Sequence, residues 1–190
     1  MTVASEDAGF WIKDMLAWHY TKRAQAKAFT LDHFIDKKPI PQKEKERLKN
    51  KINGRKTPQL KPAFEPLMLA QKPLEGTFIN NFDKWAVGLI DTSITMDGHF
   101  PSNVLKVEKT EKKDKHGHPT QKPVALLEHL IKIFTQEGQT VLDPFIGSGS
   151  TAVACYKSKR KVIGYELESK YTSIARERIQ KEVARAGFAY

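Results

Sequence analysis

The last third of the chain contains a glycine-rich segment that reads Asp143-Pro144-Phe145-Ile146-Gly147-Ser148-Gly149-Ser150-Thr151. The apolar run at 140–143 predicts a short buried strand before it, and residues 151–158 predict a helix after it. Glycines at a strand end let a ligand approach the backbone, and the free amides of a helix start favour an anionic group. Asp143 can accept hydrogen bonds from an ammonium group. No lysine follows the last glycine and the third glycine of a dinucleotide fingerprint is missing, so a nucleoside carrying an amino acid fits best.

A second strand is predicted downstream at 161–166, and it ends in the carboxylate of Glu166. An acid at this position accepts hydrogen bonds from ribose hydroxyls in nucleotide-binding folds, and the alternative is a solvent-facing strand end. We interpret Glu168 as an acid at the start of the next helix. That helix is predicted from about 169 to 186, with Tyr171, Ile174, Ala175 and Ile179 facing inward. Strand, helix, strand and helix in succession predict an α/β fold with a parallel sheet, right-handed crossovers and helices on both faces.

Upstream lies the sequence His118-Pro119-Thr120-Gln121-Lys122-Pro123. Taken alone it predicts only a turn into a helix, and His118 alone predicts an ordinary surface or core histidine. The following helix ends before Gly138 and presents Leu127, Leu130, Ile131 and Phe134 on one face.

The order of these three pieces resembles the C-terminal part of the DNA methyltransferases that modify exocyclic amino groups of adenine or cytosine. The similarity is to the permuted arrangement, in which the cofactor motifs come last, and it covers residues 118–180. Residues 10–20, 62–73 and 100–104 resemble the middle region of the same family more weakly. The resemblance implies a partial Rossmann-like fold that binds S-adenosylmethionine.

The resemblance also implies a role for individual residues around that cofactor. Those implied at the methionine end are Asp143, Phe145, Gly147, Ser148 and Gly149. Glu166 would hold the ribose and Leu167 would pack near the adenine. Thr120 and Lys122 would close the other side of the pocket, with Lys122 pairing with the cofactor carboxylate.

The family's catalytic motif, Asp/Asn/Ser-Pro-Pro-Tyr/Phe, binds the flipped base and polarises its amino group. The chain's ten prolines never form an adjacent pair, so no catalytic residue is assigned. In the permuted order the motif would precede Met1, and residues 6–10 resemble the end of the helix that follows it. Strands after the motif would lie between the cofactor strands and those near the chain's start. We therefore expect a gap in the sheet, filled by a complementary chain that carries the motif, unless the chain is an interrupted remnant.

The net charge of +10 favours a polyanionic partner such as double-stranded DNA. Residues 37–61 contain ten Lys or Arg and only two acids, which contributes +8 of that charge. The candidate DNA contacts in this stretch are Lys43, Lys45, Arg47, Lys49, Lys51, Arg55 and Lys56. The alternative is a solvated, partly disordered loop.

The remaining pattern predicts strands at 10–18 and 64–72, a short helix at 43–52, and mostly loop over 73–117. We divide the chain into three parts. Residues 1–36 and 57–110 form a partial catalytic-side segment, 37–56 a basic insertion, and 111–190 the cofactor segment.

Adenine-N6 methylation of DNA, in a restriction-modification or related bacterial or phage system, is the leading functional hypothesis. Cytosine-N4 methylation is its nearest alternative, followed by a catalytically inactive DNA- or cofactor-binding module and by a small-molecule or RNA methyltransferase. The sequence predicts a cytoplasmic protein without a membrane span or a secretion signal. Cys155 is predicted to be a small buried residue, and no metal site is predicted.

Overall fold

The computed structural model of the chain describes residues 2–22, 28–96, 98–111, 116 and 118–187. The helices in this part are α1 (Thr2–Asp7), α2 (Asp32–Asp36), α3 (Gln42–Ile52), α4 (Phe78–Trp85), α5 (Val124–Phe134), α6 (Ser150–Lys157) and α7 (Ser169–Gly187). The strands are β1 (Trp11–His19), β2 (Phe64–Gln71), β3 (Val104–Lys106), β4 (Thr140–Asp143) and β5 (Lys161–Gly164).

The amino-terminal sheet has the strand order β2-β1-β3. Strand β1 pairs with β2 in antiparallel register from Trp11↔Gln71 to His19↔Phe64, and with β3 in parallel. Trp18 is the centre of its core, together with Tyr20, Leu105 and Leu126. The predicted strands at 10–18 and 64–72 are confirmed. Among the described strands only β1 pairs with β2, so Pro66 lies in an edge strand, where a missing amide donor is tolerated.

The carboxyl-terminal unit consists of β4, α6, β5 and α7, and its two strands pair in parallel. Ala154 and Cys155 of α6 form its core with Ile131 of α5. The predicted succession of strand, helix, strand and helix is confirmed. Strand β5 ends at Gly164 rather than at Glu166, because its partner β4 already turns into the glycine-rich segment after Asp143.

Helix α5 joins the two parts of the molecule. Leu126 belongs to the core of the amino-terminal sheet, whereas Ile131 belongs to the core of the carboxyl-terminal unit. The prediction of one inward face was therefore incomplete. Leu127, Leu130 and Phe134 are only half-buried. The most buried residues of α5 are Leu126, His129, Ile131 and Ile133, because cores lie on two sides of the helix.

Most of the described residues in 73–117 lie outside helices and strands, as predicted, but the sequence did not predict α4 and β3 within this stretch. Helix α4 begins where the Thr77 hydroxyl accepts a hydrogen bond from the Asn80 amide at 3.2 Å, but much of its apolar surface stays exposed, which obscures its period. In addition, the expected parallel sheet is divided in two, and β2 is antiparallel to β1. The division agrees with the expected gap between the two groups of strands.

The basic segment contains a pair of helices, α2 and α3. The chain before α2 and the chain after α3 meet at an antiparallel bridge between Thr30 and Lys56. The predicted helix at 43–52 is confirmed as α3. Asp36 of α2 lies 2.7 Å from the Lys49 ammonium, and its backbone carbonyl accepts from Lys45 at 2.6 Å. None of the helices in the described residues has the length and apolar character that crossing a bilayer requires.

Candidate functional site

The glycine loop, defined here as residues 144–149, leaves β4 and crosses the end of β5. Asp143 is paired with Gly164, and the Tyr165 amide donates to the Asp143 carbonyl at 3.0 Å. The Ile146 amide in turn donates to the Tyr165 carbonyl at 3.0 Å. A Cβ at position 164 would overlap the Ile146 side chain, so glycine at this position lets Ile146 pack over the end of β5. The loop is therefore attached to both strand ends.

Asp143 holds the beginning and the end of the loop together. Its Oδ1 accepts from the Phe145 amide at 3.0 Å, and its Oδ2 accepts from the Thr151 hydroxyl at 2.6 Å. Thr151 lies in the first turn of α6, where backbone amides have no partner within the helix. Since each carboxylate oxygen can accept a second hydrogen bond, Asp143 can still receive a donor from a ligand.

Glu166 holds the middle of the same loop from the neighbouring strand end. Its Oε2 accepts from the Gly147 amide at 3.0 Å, and its Oε1 accepts from the Glu168 amide at 2.9 Å. Asp143 and Glu166, which lie far apart in the sequence, thus contact one loop from adjacent strands. The structure thus brings the two predicted carboxylates to one loop, and their contact with a ligand stays a prediction.

The glycines of the loop permit close contacts with its neighbours. Gly149 has a φ of +79°, and a Cβ there would lie 2.7 Å from the Cβ of Ala175 on α7. Gly147 has a φ of +52°, and a Cβ there would lie 3.0 Å from His118 Nε2. Residues 147–150 are all buried. The backbone is consequently fixed by its surroundings rather than free in solution.

The turn before α5 contacts the loop through Gln121, to which the sequence assigned no role. The Ser148 hydroxyl donates to Gln121 Oε1 at 3.0 Å. The His118 ring packs edge-on against Tyr171, with 4.4 Å between the ring centroids. Thr120, predicted to close the pocket, is exposed and donates through its amide to His118 Nδ1 at 3.3 Å. The feature of the sequence that could have identified Gln121 is its position in the middle of the motif at 118–123.

Lys122 lies toward the amino-terminal sheet. Its ammonium is 2.6 Å from Glu65 Oε2 on β2 and 5.1 Å from the centroid of the Trp18 ring. A second lysine, Lys109, lies 3.3 Å from Glu65 Oε1. The prediction that Lys122 pairs with a cofactor carboxylate therefore requires it to leave Glu65, and it stays a prediction.

Two large apolar side chains beside the loop are open to solvent. Phe145 is 86% exposed and Leu167 is 96% exposed, which suits residues implied to pack against a bound nucleoside. A cavity of about 490 Å³ lies between the end of β5 and α7, and it is lined by Ile146, Tyr165, Glu166 and residues of α7. Asp143 lies outside this cavity.

The basic residues of α3 form two stripes at helical spacing. Lys43, Arg47 and Lys51 are exposed along the outer stripe, whereas Lys45 and Lys49 contact Asp36 on the inner side. The Arg47 guanidinium also donates to Glu44 at 2.8 Å, an exposed pair that salt screens. Of the predicted DNA contacts on α3, the outer stripe is the part available to a polyanion.

Comparison with known proteins begins with the DNA methylase family, whose sequence profile matches residues 1–177. The type II methyltransferase M.HindIII of Haemophilus influenzae is 36% identical over 190 aligned residues, which cover 94% of this chain and 58% of that protein. The type II methyltransferase M2.DpnII of Streptococcus pneumoniae is 48% identical over 77 residues, covering 40% of this chain and 27% of that protein. The chain thus spans less than two thirds of the length of these curated relatives.

Solved structures share the fold. The crystal structure of the M1.HpyAVI–SAM complex gives a TM-score of 0.55 at 26% identity, covering 92% of this chain and 65% of that one. The PvuII DNA methyltransferase, which is cytosine-N4-specific, gives a TM-score of 0.60 at 17% identity and covers 93% of this chain and 57% of that one. These matches confirm the α/β, Rossmann-like fold class that the sequence predicted.

Proposed function

The chain belongs to the DNA methylase family, and on that premise we propose that it forms the S-adenosylmethionine-binding part of a DNA methyltransferase specific for adenine N6. One observation carries this proposal: the carboxylates of Asp143 and Glu166, on adjacent strand ends, contact the same glycine loop. Cytosine N4 is the alternative target. Because its substrate would be DNA, as in a bacterial restriction-modification system, we expect the protein in the cytoplasm.

The residues around the loop fit this cofactor in their chemistry. Carboxylate oxygens with free lone pairs suit an ammonium group and ribose hydroxyls, and first-turn amides of α6 suit a carboxylate. We assign the methionine end to Asp143 and the loop backbone, and the ribose to Glu166. Phe145 and Leu167 would lose exposed apolar surface to the bound nucleoside. When bound, S-adenosylmethionine supplies an electrophilic methyl group on its sulfonium.

Cofactor binding is tested by calorimetry. Wild-type chain should bind S-adenosylmethionine, and Asp143→Ala should abolish binding because it removes both an acceptor and the link between Phe145 and Thr151. Glu166→Gln should weaken binding, since charge-assisted hydrogen bonds contribute about 1.5–3 kcal/mol each. Glu168→Gln is the matched control, because only its backbone amide contacts Glu166. Equal affinity in wild type and both site variants would refute the assignment.

The base-binding step is assigned to a complementary segment that carries the Pro-Pro-Tyr motif. Support comes from the strands: among the described residues β2 and β4 each pair on one side only, and unpaired strand edges accept further strands. A groove of about 770 Å³ also lies open beside β2 and α4, with Leu69, Phe78, Trp85, Leu89 and Ile90 among its lining. Exposed apolar area of this kind marks interaction sites.

Complementation tests this assignment. The purified chain, mixed with a separately expressed front half of the family domain, should transfer labelled methyl groups to DNA, whereas neither part alone should do so. Digestion of the product to nucleosides then separates the targets, because N6-methyladenine and N4-methylcytosine differ in mass. Binding of S-adenosylmethionine without any complementation would instead favour the catalytically inactive module.

DNA contact is assigned to the outer stripe of α3. Each neutralised phosphate makes the logarithm of DNA affinity fall by about 0.9 per logarithmic unit of salt. Replacing Lys43, Arg47 and Lys51 by Gln should therefore reduce the slope measurably, while the control replacement of Lys157 and Lys159 on the carboxyl-terminal unit should not. An unchanged slope in the α3 variant would exclude this helix from the DNA interface.

A further inference from the structure

Arg178 of α7 contacts the glycine loop from behind. Its side chain is buried, with only 9% of the residue exposed. Its Nη1 donates to the Ser148 carbonyl at 2.6 Å and lies 3.3 Å from both the Ser148 and the Ser150 hydroxyl oxygens. One guanidinium nitrogen therefore joins the end of the loop to the start of α6.

The Ser148 hydroxyl links Arg178 to the turn before α5. Its hydroxyl accepts from Arg178 and donates to Gln121 Oε1 at 3.0 Å. A hydrogen-bonded chain thus runs from α7 through the loop to the turn before α5. Ala175, one turn before Arg178, packs against Gly149 from the same helix face. The loop is consequently held by α7 and by the turn before α5, and the Ser148 hydroxyl has no donor left for a ligand.

The charge of Arg178 has no compensating carboxylate within ion-pair distance among the described residues. Burial lowers the pKa of the guanidinium, although an arginine of this kind remains protonated at neutral pH. The charge of Glu182, one turn further along α7, opposes this lowering. The hydrogen bonds of Arg178 nevertheless go to neutral oxygens, and a buried cation in this setting gains from an approaching anion. The Arg178 guanidinium thus lies directly against the loop backbone that the proposed function assigns to the cofactor's methionine end.

We propose that Arg178 is a positioning residue that fixes the glycine loop and stabilises the carboxylate of the bound cofactor's amino acid end. This inference rests on the proposed function. It assigns Arg178 to one end of the cofactor, because the described hydrogen bonds of Arg178 go to Ser148 and Ser150 and not to Glu166, which would hold the sugar. Loss of the guanidinium should therefore lower the affinity for ligands that have the amino acid end and leave the affinity for ligands that lack it unchanged.

Calorimetry with two ligands tests the proposal. S-adenosylhomocysteine carries the amino acid end, and 5′-methylthioadenosine has the same sugar and base without it. Arg178→Met should weaken S-adenosylhomocysteine about 10- to 100-fold, the range expected when a charge-assisted interaction is lost. The affinity for 5′-methylthioadenosine should stay within about threefold of wild type. Arg178→Lys, which keeps the charge, should recover part of the loss.

Controls separate this role from a merely structural one. Arg185→Met removes an exposed arginine from the end of the same helix and should change neither affinity. Equal loss for both ligands in the Arg178 variants would overturn the proposal while leaving the proposed function intact. If Arg178→Met does not fold, the loss of affinity for S-adenosylhomocysteine relative to 5′-methylthioadenosine is measured on Arg178→Lys and Ser150→Ala. A selective loss supports the proposal, and an equal loss overturns it. A wild-type chain that binds neither ligand would refute the proposed function and this inference together.

Discussion

The amino-terminal sheet and the carboxyl-terminal unit differ in how their chains are connected. In the carboxyl-terminal unit, β4, α6, β5 and α7 follow one another and pack on their neighbours in sequence. In the amino-terminal sheet, β1 pairs with β2 across the whole basic helical pair, and with β3 across a still longer stretch. In the carboxyl-terminal unit the short connections fix the glycine loop by local geometry. In the amino-terminal sheet the long connections leave strand pairing to depend on the shared core. Helix α5 contributes to both cores and so makes the two parts interdependent.

The largest effect is expected from truncating the residue of α5 that enters the amino-terminal core. Leu126 is almost fully buried beside Trp18 and Leu105, so Leu126→Ala should lower the free energy of unfolding by about 2–5 kcal/mol. Denaturant unfolding followed by fluorescence measures this. Leu142→Ala is the matched control, because Leu142 is 62% exposed on β4 and its truncation leaves no buried cavity.

The reactivity of Cys155 shows whether the destabilisation caused by Leu126→Ala extends through α5 to the carboxyl-terminal unit. Burial, and secondarily the charge of Asp143, raise the pKa of its thiol to about 11, so alkylation near neutral pH requires opening of the carboxyl-terminal unit. If the two parts are interdependent, Leu126→Ala accelerates Cys155 alkylation as strongly as Ile131→Ala does. An unchanged alkylation rate in Leu126→Ala would mean that the two parts open independently.

A smaller effect is expected within the carboxyl-terminal unit at Gly149. Gly149→Ala meets both a positive φ and the backbone of Ala175, with a Cβ–Cα separation of 2.9 Å. Strain and overpacking together should cost about 2–4 kcal/mol. Gly138→Ala is the control, since its φ of +81° is matched but no atom lies within 4 Å of the added Cβ. The difference in stability loss between the two variants, measured by thermal unfolding, isolates the packing contribution. Equal losses would show that α7 shifts to accommodate the added methyl group.

The same difference in connectivity explains what the sequence could predict. Residues 118–180 could be predicted because elements that are neighbours in the sequence also pack together. The apolar runs, the glycines and the acid after β5 therefore mark each element in order. Helix α4 was missed because its face is half-exposed, although Thr77 followed by Asn80 is a capping signal that was available. Arg178 was missed because an arginine at helical spacing is typical of a solvent-facing position. Its burial depends on Ser148 and Ser150, which only the folded chain brings near it.

The smallest effect is expected from the ion pair that links the two parts, Glu65 with Lys122. Burial raises the pKa of Glu65, but hydrogen bonds from Lys122 and Lys109 and their charges outweigh it and hold that pKa below its ordinary 4.5. A carboxylate whose pKa is lowered by folding stabilises the protein above 4.5, and that contribution is lost as the pH falls through the folded-state pKa.

Glu65→Gln should therefore destabilise the protein at neutral pH and match wild type in acid. Because the Glu65 side chain is 35% exposed, the neutral-pH difference should be no more than about 1 kcal/mol. Unfolding curves of both proteins from pH 7 to pH 3 measure it, with Glu177→Gln as the control on an exposed face of α7. Since Glu65 lies on β2 and Lys122 leads into α5, a pH-dependent difference confined to Glu65→Gln would show that the contact between the two parts itself titrates. A difference that persists at low pH would instead locate the effect in packing around Trp18.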